Sequence, residues 1–177
     1  GESLEFSQED ISWTGSSIEA RLYAEDPNND FLPEIGTLIA FEESNSAEAR
    51  WDTGVKTGTV VGTDFDPMLA KIISYAPNRT DAASKLAKAL ESAHIGGVKT
   101  NRDFLINCLK TKEFIDGDTT SDFIDRVNPK RKLEIDQSGI EHVTAIAAMW
   151  IQQQNRESSN IAKFMPSGWT NGRLPNQ

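Results

Sequence analysis

Apolar and polar positions alternate most strictly at residues 17–25. Ile18, Ala20, Leu22 and Ala24 fall on one side of an extended chain, and Glu19, Arg21, Tyr23 and Glu25 fall on the other. The first side is small and apolar, as a core wall requires, and Asp26-Pro27 ends the run. The pattern predicts further strands at 37–43, around 55–62 after the lead-in Arg50-Trp51-Asp52, and from Met68. The near-continuous apolar run Met68–Ile73 reads as a strand covered on both faces. Four strands joined by short polar connections, before any strong helix, favour an antiparallel sheet.

The period then changes to that of helices. Ala83, Leu86, Leu90 and Ala93 form one stripe, with Gly96-Gly97 as its stop. Thr100 is a candidate cap for a second helix through residues 101–111, and a short third helix is expected in 119–127, before Pro129. Strands followed by packed helices make an α+β domain over 1–127. A linker is expected at 128–139, and 140–177 should hold an amphipathic helix and a tail rich in Pro, Gly and Asn. In that helix Val143, Ile146, Ala147, Trp150 and Ile151 share a wide stripe that needs a partner surface. No internal repeat is found.

Composition narrows the function classes. The chain has 177 residues, 37% apolar and 25% charged, which is globular rather than disordered. A net charge of −9 argues against nucleic acid as partner, and the basic triplet Lys130-Arg131-Lys132 is too short to reverse that, so it reads as solvated linker. No apolar run approaches the roughly 20 residues that span a bilayer. The single cysteine, Cys108, excludes an internal disulfide and keeps helical spacing with Phe104, Leu105 and Leu109, as a core thiol would. The chain begins without Met at a polar stretch, which fits a fragment cut from a longer protein.

A complete catalytic apparatus is missing. Gly96-Gly97 and the stretch 57–62 lack phosphate-loop and dinucleotide spacing. His94 and His142 stand far apart, and no metal site is expected. His94 is placed at a helix C-terminus, where its cationic form suits the dipole. What stands out is Arg21, set between acids and a phenol. On spacing alone it is either a solvated ladder, worth about 0.2–1 kcal/mol per pair, or the wall of a site.

The segments RLYAEDP (21–27), RWD (50–52), DPMLAK (66–71) and KTN (99–101), in this order, resemble the C-terminal domain of biotin carboxylases, and the resemblance runs from about Ser17 to Val127. It implies an ATP-grasp parent enzyme that carboxylates biotin with ATP, magnesium and bicarbonate. In that family the lid, the metal-binding acids and the general base lie upstream of this segment. The resemblance also implies that Arg21 faces the biotin ureido ring, and Glu19 and Glu25, on the same strand face, are expected to hold its orientation. It aligns Arg50 with a dimer-interface arginine, although an ion pair with Asp52 accounts for it equally well. Thr119 and Asp122 fall near the adenine end of the nucleotide, where some members carry a histidine instead of Asp122. Lys71 is expected to pack its stem and extend its head to water.

The helix and tail beyond residue 127 resemble the α-type subunit of acyl-CoA carboxylases. They imply a biotinyl carrier domain and a carboxyltransferase subunit as partners, in bacterial cytoplasm or mitochondrial matrix. The biotin-accepting Met-Lys-Met pattern is absent, and the isolated chain is expected to bind no cofactor and be inactive. Pyruvate or urea carboxylases, or a non-catalytic protein-binding module, are the alternatives.

Overall fold

The computed structural model describes residues 1–44, 49–134 and 137–158. Its strands are β1 (Ser16–Tyr23), β2 (Glu25–Asp26), β3 (Leu32–Pro33), β4 (Gly36–Thr37), β5 (Ala40–Glu42), β6 (Ala49–Thr53), β7 (Val60–Val61), β8 (Met68–Ala76) and β9 (His94–Gly96). The helices are α1 (Arg79–Glu91), α2 (Arg102–Leu109), α3 (Lys112–Asp116), α4 (Phe123–Val127) and α5 (Gln137–Ser158). The central sheet has the order β1-β8-β6 and is antiparallel throughout, and two-stranded pairs β2-β3, β4-β7 and β5-β9 surround it. The mixed α/β architecture with antiparallel sheets matches the sequence expectation.

The chain divides into two compact units, Gly1–Leu133 and Glu134–Gln177. In the first, the apolar face of β1 and β8 meets α1, which also packs on α2. Leu22, Leu69, Ile72, Leu86, Leu90 and Ile106 are fully buried there, and each such side chain contributes about 1.5–3 kcal/mol by leaving water. Asn78 starts α1 by accepting a hydrogen bond from the Asp81 amide through its side chain. Ser74, on the covered face of β8, donates from its hydroxyl to the Ala82 carbonyl, tying the strand to the helix behind it. A smaller cluster joins Phe31, Phe104, Cys108 and Phe123.

Several local expectations are corrected. The strand expected around 55–62 lies earlier, at Ala49–Thr53, and only Val60–Val61 pair further on. Arg50-Trp51-Asp52 alternates with Trp51 turned to the core, so it is the strand itself rather than its approach. The strand expected at 37–43 is split between β4 and β5. The β8 run is covered mainly on one face: Ile72 and Ser74 are buried, while Lys71 and Ile73 are half-buried. His94 sits in β9 and not at a helix end, because α1 stops at Ser92 and the chain turns back to pair with β5. The basic triplet is not solvated throughout. Arg131 lies over the rings of Phe31 and Phe104 at 4.8 and 5.0 Å, and Asn107 donates to the carbonyls of Lys130 and Lys132.

The second unit contains α5. Its apolar stripe, including Val143, Ile146 and Trp150, is exposed. No helix among the described residues is long and apolar enough to cross a membrane.

Candidate functional site

Register places the charged side chains of the central sheet on one open face. Arg21 on β1 lies opposite Lys71 on β8, which lies opposite Asp52 on β6. The neighbouring row runs from Glu19 through Ile73 to Arg50. Strand alternation alone produces this arrangement, since residues that do not face the core must face outward together.

Arg21 is 60% exposed, and its Nε donates to Glu19 Oε1 at 3.2 Å. Glu19 and, more weakly, Tyr23 hold the guanidinium above its already high ordinary pKa. Glu25, expected to orient Arg21 from the same face, does not pair with it. The β1–β8 register slips between Leu22 and Tyr23, and Glu25 begins a separate strand opposite Pro33. Burial raises the Glu25 carboxyl above its usual value, with Asp66 adding to the effect.

The backbone beneath Arg21 is clipped by a residue that the pattern of apolar positions does not reveal. Asn101 is buried. Its side-chain oxygen accepts from the Tyr23 amide at 2.9 Å, and its Nδ2 donates to the Arg21 carbonyl at 3.2 Å. Just beyond, buried Asp26 accepts from Lys99 at 2.5 Å and from the Asn28 amide at 2.9 Å, while Lys99 also reaches Glu34 at 3.4 Å. Lys99, and then the Asn28 amide, hold the Asp26 carboxyl below the ordinary aspartate range. The one sequence signal for these roles is that Asp26 lies in the AEDP segment and Lys99 and Asn101 lie in KTN, 73 and 75 residues downstream of Asp26.

The remaining candidates are scattered. Arg50 pairs with Asp52 at 3.1 Å on the same open face. Thr119 is exposed, and Asp122 precedes α4, where it accepts from Thr120 and lies 3.6 Å from Arg126. Cys108 is buried, and burial pushes its thiol up to about 11 against the opposing pull of Arg131, so it stays protonated at neutral pH. No group of three metal-ligating side chains occurs among the described residues.

Comparison with known proteins places this geometry. Residues 19–126 match the family model of the biotin carboxylase C-terminal domain. The α subunit of mitochondrial methylcrotonoyl-CoA carboxylase from Rattus norvegicus is 34% identical over 99% of this chain, which spans 26% of that protein. Pyruvate carboxylase from Staphylococcus aureus is 40% identical over 67% of this chain and 10% of its own length. Among solved structures, the biotin carboxylase domain of Hydrogenobacter thermophilus 2-oxoglutarate carboxylase, in complex with MgADP, ADP and bicarbonate, superposes with a TM-score of 0.72. It is 36% identical, with 76% of this chain and 30% of that one covered. The chain thus spans about a quarter of the first of these relatives, and it belongs to the biotin carboxylase C-terminal domain family.

Proposed function

We propose that this chain is the carboxy-terminal part of the biotin carboxylase component of an acyl-CoA carboxylase, a ligase that carboxylates biotin with ATP and bicarbonate. The observation that carries the reading is the reach of the similarity. Alignment with the methylcrotonoyl-CoA carboxylase α subunit covers 99% of the chain and takes in α5, whereas alignment with pyruvate carboxylase covers 67%. A region homologous beyond the carboxylase fold favours an acyl-CoA acceptor over pyruvate.

Within that reading Arg21 faces the cofactor. Biotin supplies a ureido nitrogen that becomes nucleophilic on losing its proton, leaving negative charge on the ureido oxygen. The Arg21 side chain fits such an oxygen: it is a permanently charged, forked donor on a paired strand. Glu19 takes its Nε, and Asn101 pins the backbone on either side of Leu22. A donor held in place before charge develops needs little reorganisation when it does, and is worth about 2.7–4 kcal/mol of barrier. Glu19 thus positions Arg21 and leaves the ends of the fork for the cofactor; Glu25 has no part in this role. The nucleotide and its magnesium would be held mainly by residues outside this chain, with Thr119 and Asp122 near the adenine end.

The α5 stripe, with Trp150 at its centre, is the surface proposed to meet the carboxyltransferase side of the assembly, and a biotinyl carrier domain would bring the cofactor to Arg21. These relatives are mitochondrial or bacterial proteins, so the mitochondrial matrix and the bacterial cytoplasm are the proposed compartments.

Arg21→Ala and Arg21→Lys in the intact carboxylase test the assignment. Both are expected to lower kcat for biotin carboxylation by about 10²–10³, with the KM for ATP and the thermal midpoint unchanged. Turnover within a factor of about three of the parent would remove Arg21 from the mechanism.

A further inference from the structure

A cleft of about 310 Å³ lies at the amino end of α2, lined by none of the charged residues of the open sheet face. Six charged side chains line it: Asp26, Lys99, Arg102, Asp103, Arg131 and Lys132. Four cations against two carboxylates leave a surplus of two positive charges, in a chain whose net charge is −9.

The pairing shows which cations make up the surplus. Lys99 is bound to Asp26 at 2.5 Å, and Arg102 to Asp103 at 3.1 Å, with a further Arg102 bond to the Ala93 carbonyl. Both acids of the cleft are therefore engaged. Among the described residues, Arg131 and Lys132 have no carboxylate partner. Arg131 lies over the rings of Phe31 and Phe104 and lines the cleft, and its buried Nη1 has no hydrogen-bond acceptor. A cation–π cradle fixes a guanidinium but cannot satisfy its N–H donors, which lie at the ring-plane edge of the fork. The position adds to this, since the first turn of α2 (Arg102, Asp103) borders the cleft and its backbone dipole contributes positive potential there.

We infer that this cleft is a binding site for a small phosphate-bearing anion, with Arg131 as the forked donor, Lys132 as the second charge and the α2 amino end as the third element. The volume falls at the small end of ligand pockets, enough for a phosphoryl group with a modest substituent. The geometry favours phosphate over a single carboxylate, because two unpaired cations and a helix terminus together match a divalent tetrahedral anion. The inference rests on charge pairing and cavity geometry, and does not depend on the function proposed above.

Titration of the 177-residue chain with inorganic phosphate, at ionic strength held constant with sodium chloride, tests it. Saturable binding is expected, with amide resonances of Thr100 and Lys132 shifting together. Arg131→Met keeps an apolar stem against the Phe31 and Phe104 rings and should weaken phosphate about tenfold or more, the loss expected for a charge-assisted fork. Lys132→Gln, at an exposed position, should weaken it about threefold without changing the fold. A parallel titration with a nucleoside monophosphate separates the sources: tighter binding than free phosphate assigns the site to an esterified phosphoryl group, and equal binding assigns it to the free anion. Absence of saturation below about 10 mM phosphate, or equal affinity in the parent and Lys132→Gln with Arg131→Met folded and also unchanged, would overturn the site.

Discussion

Asp26 is the residue on which the turn after β1 depends, and its ionisation sets a pH limit. Its carboxylate is buried yet receives Lys99 and the Asn28 amide, so its folded pKa lies below the ordinary value of 3.8. The unfolded chain therefore binds this proton first as pH falls. The stabilisation from Asp26 is complete above about pH 4–5, declines as pH drops through the unfolded value, and is gone below the depressed folded one. Asp26→Asn should accordingly be less stable than the parent at pH 7, and the gap between the two melting curves should close as pH falls below 3.8. A gap that stayed constant from pH 7 to about pH 2.5 would mean that the Lys99 pairing contributes nothing. Glu25 works in the opposite sense, since its carboxyl is raised by burial. Comparing Asp26→Asn with the parent cancels that background.

Between elements, the tightest constraint is the return of the chain from α1 to α2. Gly97 adopts φ +106, and a Cβ there would stand 2.1 Å from the Thr37 carbonyl oxygen and 2.7 Å from the Ile39 amide. Only glycine lets β9 run this close to the strand pair beside it, and Ile39 donates to the Gly96 carbonyl at 2.9 Å across the same gap. Gly97→Ala should cost about 3 kcal/mol or more, since a positive φ and a backbone clash combine. That corresponds to a fall of about 6–12 °C in Tm for a chain of this size. The sequence marks Gly96-Gly97 as a helix stop, yet the helix ends four residues earlier, at Ser92, and the glycines serve a close approach between strands. Such errors share a cause. Alternation and helical period report which side of an element is apolar, so β1, β8 and α1 are legible. Two- and three-residue pairings such as β4, β5 and β9 are too short to carry a period, and their partners are fixed by contacts distant in sequence. The site divides in the same way. Arg21 and Glu19 are visible because they interrupt an apolar alternation. Asn101 and Asp26 are not, because a buried polar side chain that clips the backbone or pairs with a distant lysine has no pattern of its own. Arg131 is read wrongly as solvated because its aromatic cradle comes from residues 31 and 104.

At the scale of the whole molecule, the main core among the described residues lies in the first unit. The buried cluster draws on β1, β8, α1 and α2 and takes Leu133 as its most C-terminal packed residue. Its burial is two-layered, helices on one face of an antiparallel sheet, and the other face is left to charge, with Arg21, Lys71 and Asp52 in register. A face so polar contributes little to folding, which is why substitutions there can be read as functional rather than structural. Among its described residues the second unit holds one amphipathic helix with an exposed apolar stripe, and most helical stability in proteins comes from packing such a face. Because the described core draws on β1, β8, α1, α2 and Leu133, truncation after Leu133 is expected to leave the urea midpoint of the first unit within about 0.5 kcal/mol-equivalent of the full chain, while ellipticity at 222 nm falls by at least the share due to α5. A midpoint lowered by the equivalent of about 2 kcal/mol or more would show that residues after 133 belong to the core.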